Sequence, residues 1–344
     1  VSIRLNKLKI QHEEWNNRVP WATDVYYLDK RLTFTFDPLF HAGCYYVQEA
    51  SSMFVEQILR RYVSEKSVVM LDLCAAPGGK STHARSVLPQ GSLLVANEVI
   101  RNRSQVLAEN LTKWGNPDVV VTNNDPSAFK RLPGFFDLLV VDAPCSGSGM
   151  FRKDEDSLDE WSEANVKLCS ERQQRILSQV IASLNTHGYL IYSTCSYSSE
   201  ENEEILDWLI DGGYDLESIQ IPLEEDWGIQ QTLSPKNKAF GYRFYPHRVK
   251  GEGFFIGVLR MKNIQPGFSL KKMKFEKSPI PKEGLSSWVE DIEQFSWLIH
   301  NENPWKVIID NDSEYVDKEK FKKEFLNITS LCESDVEIEK DSTP

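Results

Sequence analysis

Val68-Val69-Met70-Leu71-Asp72-Leu73-Cys74-Ala75-Ala76-Pro77-Gly78-Gly79-Lys80-Ser81-Thr82 begins as a continuous apolar run and breaks into a turn of small residues. Such a run reads as a strand buried on both faces of a parallel sheet, and the turn after it opens a helix. Strand, glycine-bearing turn and helix is the arrangement that receives a nucleotide-like cofactor, because glycine lets the backbone approach the ligand closely. Three cofactors compete for this turn. A dinucleotide fingerprint needs GxGxxG, which is absent. Gly79-Lys80-Ser81 fits the tail of a phosphate loop, but Cys74 stands where the first glycine belongs and Pro77 removes a backbone donor. The third reading is a methyl-donor site, in which the small residues accommodate the amino-acid end of S-adenosylmethionine.

The acids and thiols further along the chain favour the third reading. Leu93-Leu94-Val95-Ala96-Asn97 ends at Glu98, placed to accept from the ribose hydroxyls, and Val119-Val120-Val121-Thr122 leads to Asp125, placed to accept from the adenine amino group. Leu138-Leu139-Val140-Val141-Asp142 runs into Pro144-Cys145-Ser146-Gly147. Gly188-Tyr189-Leu190-Ile191-Tyr192-Ser193-Thr194 delivers Cys195 at another strand end. A lone strand-end carboxylate is common, and a lone cysteine is usually a small apolar filler. Four such strand ends in series describe a site. Which of the two thiols reacts is open at this level.

Other stretches supply frame. Ser51 or Ser52 reads as the cap of a helix from Met53 to Tyr62, and Ser104 to Trp114 as another helix. Glu171 to Leu184 is amphipathic, with Ile176, Leu177, Val180, Ile181 and Leu184 as core. Ser198-Ser199-Glu200-Glu201 matches a capping box opening a helix to Leu209, which sets Cys195 near a helix N-terminus and favours its thiolate.

The 344 residues carry a net charge of −12, which sits badly with a nucleic-acid partner, since phosphate binding is driven by Lys and Arg. Half of that charge lies in residues 265–344, with 11 Lys against 17 Asp and Glu. Gly241 to Phe255 supplies a local basic, aromatic segment of the kind an RNA contact needs, although a solvated hairpin explains it equally well. Six scattered cysteines without a CxxC pair argue against a metal site and against a disulfide framework. No apolar run reaches the length of a membrane span and no signal pattern is present, so a cytoplasmic monomer is the expectation. The expected divisions are a β-containing lead-in (1–50), a catalytic domain (51–262), and a linker with a C-terminal auxiliary, RNA-binding region (263–344). In that last region Trp288, Phe295, Trp297, Leu298, Trp305 and Ile308 form a small core, and a disordered acidic tail starts at Glu333.

Together, Asp72 to Lys80, Asp142-Ala143-Pro144-Cys145-Ser146-Gly147, Ser193-Thr194-Cys195-Ser196 with Glu201-Asn202-Glu203, and Gly251-Glu252-Gly253-Phe254-Phe255 closely resemble the Sun-type RNA (cytosine-5)-methyltransferase family, and within it the bacterial RsmF-like ribosomal-RNA methylases. The resemblance runs from Ser2 to Arg260. It implies an α/β, Rossmann-like, seven-stranded methyltransferase sheet, with the strand around Phe255 to Leu259 antiparallel. It also implies S-adenosylmethionine held by Cys74, Ala75, Ala76, Pro77, Gly78, Gly79 and Lys80, with Glu98 at the ribose and Asp125 by the adenine. Asp142 would border both cofactor and base, Cys195 would be the nucleophile, and Cys145 would assist product release. Arg103 occupies the place of an arginine frequent in the family. The implied substrate is ribosomal RNA, with transfer RNA second. A non-catalytic RNA-binding assembly factor and a small-molecule or protein methylase on the same fold are the rivals.

Overall fold

In the computed structural model, which describes residues 1–10, 16–63, 66–153, 156–262, 276–277, 296–300 and 303–307, the chain opens with β1 (Ser2–Leu5), β2 (Val25–Tyr27), α1 (Pro38–His41) and β3 (Tyr45–Val47). These strands form an antiparallel sheet in the order β2-β1-β3. It is the expected β-containing lead-in, and it is bound to residues 50–114 by buried polar contacts rather than by apolar surface alone. Arg4, 2% exposed, stacks over Trp114 at 4.3 Å and donates to Thr82 Oγ1 at 2.6 Å. Trp21 donates its indole N–H to the Ala50 carbonyl at 2.8 Å.

After α2 (Val55–Tyr62), strand and helix alternate through β4 (Val69–Asp72), α3 (Gly79–Val87), β5 (Leu93–Asn97), α4 (Arg101–Trp114), β6 (Val119–Thr122) and β7 (Phe136–Asp142). Then come α5 (Asp156–Glu160), α6 (Glu163–Val180), β8 (Leu184–Thr194), α7 (Glu203–Asp211), β9 (Leu216–Ser218), β10 (Gln230–Leu233), β11 (Phe240–Phe244) and β12 (Phe254–Met261). The large sheet has the order β10-β11-β12-β8-β7-β4-β5-β6, with β9 pairing β12. From β8 to β6 every pairing is parallel, and β12 lies antiparallel on β8, as expected for the Phe255 segment. The sheet has nine strands, not seven, because the short β9 and the largely exposed β10 add pairings around β12 and β11.

The core forms where apolar strands are covered on both faces. Met70, Leu94, Val140, Ile191 and Val258 are fully buried, and Trp21, Phe54 and Phe244 pack edge-on over them, with ring centroids 5.4 to 5.6 Å apart.

Three local expectations fail. Ser51 and Ser52 cap nothing: Ser52 Oγ donates to the Glu49 carbonyl, and a 3-10 turn (Ser51–Phe54) leads into α2. Helix α6 starts at Glu163, where Ser162 Oγ accepts from Asn165 N, and Leu184 belongs to β8. The capping box at Ser198 does not form either, since Glu201 turns elsewhere.

Residues Val1–Phe268 form one compact unit and Ser269–Pro344 a second. The second contains an antiparallel sheet of β13 (Glu276–Lys277), β14 (Ser296–His300) and β15 (Asn303–Val307). The linker, the acidic tail and the side chains of the small aromatic core lie outside the described residues. Within the described residues no helix is long and apolar enough to cross a membrane.

Candidate active site

The five parallel strands gather the candidate site residues at their carboxyl ends. Read across the sheet from β6 to β8, these ends present Asp125, Glu98, Asp72 with Cys74, Asp142 with Cys145, and Cys195. The chain winds outward from β4 through β5 to β6, then jumps back to start β7 beside β4. Ligands bind at such a switch point in open α/β sheets.

Two cavities meet there. One, of about 600 Å³, is bordered by Glu98, Asp125 and Cys145, and the other, of about 320 Å³, by Ala75, Pro77, Gly79 and Lys80. Cys74, Ala76, Asp142 and Cys195 border both. Of the residues expected in the site only Gly78 borders neither. It stands in the left-handed region at φ 110°, where it turns the loop into α3.

The loop is braced from outside. Arg103, whose role the sequence left open, donates to the Ala76 carbonyl at 2.9 Å and reaches Glu98 at 3.5 Å. Glu98 is buried and accepts from Ile100 N, which leaves the carboxylate fixed at the cavity wall. Asp125 is committed in part to local structure: its Oδ1 caps the 3-10 turn Pro126–Arg131 by accepting from Ser127 N and Oγ, and these bonds hold its carboxyl below the ordinary range.

At the junction of the cavities Lys80 donates to Asp142 Oδ2 at 2.7 Å, and Ser193 Oγ donates to Asp142 Oδ1 at 2.7 Å. Burial drives the Lys80 ammonium downward, but the charge and hydrogen bond of Asp142 outweigh it, so the group stays firmly cationic. Asp72, at the end of β4, is pushed up to about 7 by burial despite the bond it accepts from Ser81. Its Oδ1 is buried and has no hydrogen-bond partner. The two joined cavities, with the buried Asp72 carboxylate and small residues along one and the strand-end acids Glu98 and Asp125 along the other, suit a ligand with an ammonium group, a ribose and an adenine. S-adenosylmethionine has all three.

The two thiols lie together, with Cys145 Sγ 3.1 Å from Cys195 Sγ. The hydrogen bond from Cys145 lowers Cys195 against the opposing effects of burial and of the Asp142 carboxylate, and the Lys80 ammonium adds a smaller lowering. The same bond, with burial, drives Cys145 well above the ordinary thiol value. One sulfur is therefore set up as thiolate and its neighbour as proton donor. The expected helix N-terminus takes no part, because α7 starts only at Glu203.

A buried acid holds this pair from behind. Glu201 is fully buried and accepts from Ser146 N at 2.8 Å, Ser146 Oγ at 2.6 Å and Ser196 Oγ at 2.6 Å, with Gln173 at 3.2 Å. Ser146 follows Cys145 and Ser196 follows Cys195, so one carboxylate ties both thiol loops together. Asn202 accepts from Thr194 Oγ1 and donates to the Ser196 carbonyl, and Glu203 pairs with Arg243. Local spacing presented Glu201 as a helix cap, and only the contact with Ser146, 55 residues earlier in the chain, reveals what it does.

With this geometry in hand, comparison with known proteins assigns the family. Residues 58–260 match the 16S rRNA methyltransferase RsmB/F family, and residues 1–50 match the N-terminal domain of 16S rRNA methyltransferase RsmF. The chain belongs to the RsmB/F methyltransferase family. Ribosomal RNA small subunit methyltransferase F of Aeromonas salmonicida is 32% identical over 313 residues, 85% of this chain and 64% of that protein, so the chain spans under two thirds of the length of this relative. Among solved structures, a methyltransferase homologue from Pyrococcus horikoshii superposes with a TM-score of 0.59 at 28% identity, covering 76% of this chain and 86% of that one. NSun6 from the same organism, solved with SFG, gives 0.57 at 26% identity, covering 70% and 58%.

Proposed function

We propose that this RsmB/F-family chain methylates carbon 5 of a cytosine in small-subunit ribosomal RNA, with S-adenosylmethionine as donor. The observation that carries the reading is the thiol pair at adjacent strand ends, 3.1 Å apart, beside the Lys80–Asp142 ion pair. The relatives named as small-subunit methyltransferases support the substrate, and the relative solved with SFG, a donor analogue, supports the cofactor. Residues 1–50 act as lead-in, 51–262 as the catalytic domain and 263–344 as an auxiliary RNA-binding region.

Carbon 5 of cytosine is too weak a nucleophile to take a methyl group unaided. The Cys195 thiolate forms a bond to carbon 6, the ring electrons move toward N3, and the resulting enamine makes carbon 5 nucleophilic. Asp142, carrying a proton that it gives to ring N3, neutralises the charge that builds on the ring, and the Lys80 ammonium beside it adds to that stabilisation. S-adenosylmethionine supplies an electrophilic methyl group. Once carbon 5 carries that group it also carries a hydrogen, which must leave as a proton. Once Cys195 is bonded to carbon 6 it is no longer an anion holding the Cys145 proton in place; Cys145 releases that proton to water, takes the carbon-5 proton as a thiolate, the C5–C6 double bond re-forms, and the Cys195–C6 bond breaks to return the thiolate. The loop from Cys74 to Lys80, with Asp72 beside it, would hold the methionine part of the donor, Glu98 its ribose and Asp125 its adenine. The target base must be unpaired or extruded to reach the thiol, which favours a loop or an opened helix in the RNA.

The test is transfer of a labelled methyl group to protein-free small-subunit ribosomal RNA, followed by digestion to nucleosides. Label in 5-methylcytidine supports the proposal. Label in another nucleoside, or in protein or small molecules alone, overturns it.

A further inference from the structure

Of the sequence's basic, aromatic segment, Arg243, Phe244, Phe254 and Phe255 are taken up by the fold, and the connection between them is not. In the structure it forms one wall of a trough. The connection from β11 to β12, residues 245–253, faces the lead-in across a cavity of about 630 Å³ that shares Val47, Gln48, Glu49 and Glu252 with the smaller active-site cavity. Its walls carry Arg31 from the lead-in, Lys153 from the loop after Cys145, and Arg248 and Lys250 from the connection. Its two acids are already satisfied from within the chain. Glu252 takes both Arg152 nitrogens, at 2.9 and 3.2 Å, and Glu49 accepts from Glu252 N and Ser52 N. Arg31, Lys153, Arg248 and Lys250 have no carboxylate partner among the described residues. In a chain of net charge −12, this leaves a cationic trough leading to the thiols.

A second feature points to the same occupant. Tyr197, two residues after Cys195, stacks on Tyr245 at 5.7 Å and 19°, and Tyr245 meets the His247 ring at 5.6 Å and 32°. His247 is the exposed end of this column and also lines the trough. Cations spaced along a channel with rings at its side suit a single-stranded nucleic acid, whose phosphates take the charges and whose bases stack. An acidic peptide would use the cations and leave the rings idle.

We infer that the trough between the lead-in and the β11–β12 connection seats the single-stranded RNA flanking the target nucleotide, with Arg31, Lys153, Arg248 and Lys250 on its phosphates and the Tyr245–His247 column under one of its bases. This rests on the proposed RNA methylation and adds the path the strand takes to Cys195.

Binding of a 12-nucleotide single-stranded RNA of mixed sequence, titrated at several salt concentrations, tests it. The Lys153→Glu/Lys250→Glu variant is expected to weaken binding at least tenfold or so at 0.1 M salt and to flatten the salt slope by about 1 to 2. His247→Ala is expected to weaken binding about fivefold or more with the slope unchanged, since stacking releases no counterions. Arg61→Glu, an exposed cation near the end of α2 that borders neither the trough nor the active-site cavities, should change neither. S-adenosylmethionine affinity and thermal stability, measured on each variant, keep a folding defect from imitating the result. Unchanged RNA affinity and salt slope in the double variant, while the wild type still methylates RNA, overturn the trough and leave the enzyme reading intact. Failure of the wild type to methylate any RNA overturns the enzyme reading, and the binding titration still decides the trough.

Discussion

Cys195 and Cys145 share one residue type, one environment and one hydrogen bond, yet the bond divides their roles. The proton stays on Cys145, half-buried and next to an anionic sulfur, while Cys195 is lowered by that hydrogen bond and, against burial and the Asp142 carboxylate, by the Lys80 ammonium. Lys80 thus acts on Asp142 and on the thiolate together. Replacing it with Met removes a cation that lowers Cys195, so the acidic limb of the pH–rate profile moves to higher pH, and a rate measured near pH 7 falls more than one measured near pH 9. A profile that drops evenly at all pH values would contradict this. Glu201 acts one step further back. Glu201→Gln replaces a carboxylate that accepts four hydrogen bonds with an amide that accepts fewer, at a cost of roughly 2 kcal/mol. The expected outcome is a single-turnover rate about tenfold or more lower, while donor affinity, measured by calorimetry, is unchanged.

Among the elements, strands and helices differ in what they reveal. The strands ending in Asp72, Glu98, Asp142 and Cys195 were legible because a buried parallel strand is an unbroken apolar run, and the residues just past its end fall on the ligand edge of the sheet. Helix α6 was legible in its apolar stripe but not at its start, since exposed Leu168 interrupts the pattern that Ser162 caps. Strand β10 is short, largely exposed and without an apolar alternation, so nothing local distinguished it from a loop. Ser198 to Glu201 carried a helix-start signal that tertiary structure overrode, and Glu201 was therefore missed as part of the site. The packing of loops around Cys195 was equally hidden. Gly149 N donates to the Cys195 carbonyl at 2.8 Å, Gly253 N donates to the Gly149 carbonyl at 3.0 Å, and a Cβ on Gly149 would lie 2.6 Å from the first oxygen and 2.7 Å from the Gly253 oxygen. Both obstacles are backbone and cannot swing aside. Gly149→Ala should therefore displace the loop that carries Cys195, costing about 1 to 3 kcal/mol in stability and, under the proposed chemistry, more than that in catalysis. Thermal melts beside single-turnover rates check the two parts.

Across the molecule, the net charge says little about the surface beside the thiols, because half of it resides in residues 265–344 and the trough there is lined by Arg31, Lys153, Arg248 and Lys250. Fold, site and family agree on a methyltransferase architecture, and the covalent step is the claim on which the proposed chemistry depends. The most direct measurement of that step incubates the Cys145→Ala and Cys195→Ala variants with S-adenosylmethionine and small-subunit ribosomal RNA, and resolves them on a denaturing gel. The proposed chemistry predicts a protein–RNA adduct that persists with Cys145→Ala, and neither adduct nor methylated product with Cys195→Ala. An adduct formed by the Cys195→Ala variant, or methylated product from it at the wild-type rate, would contradict it.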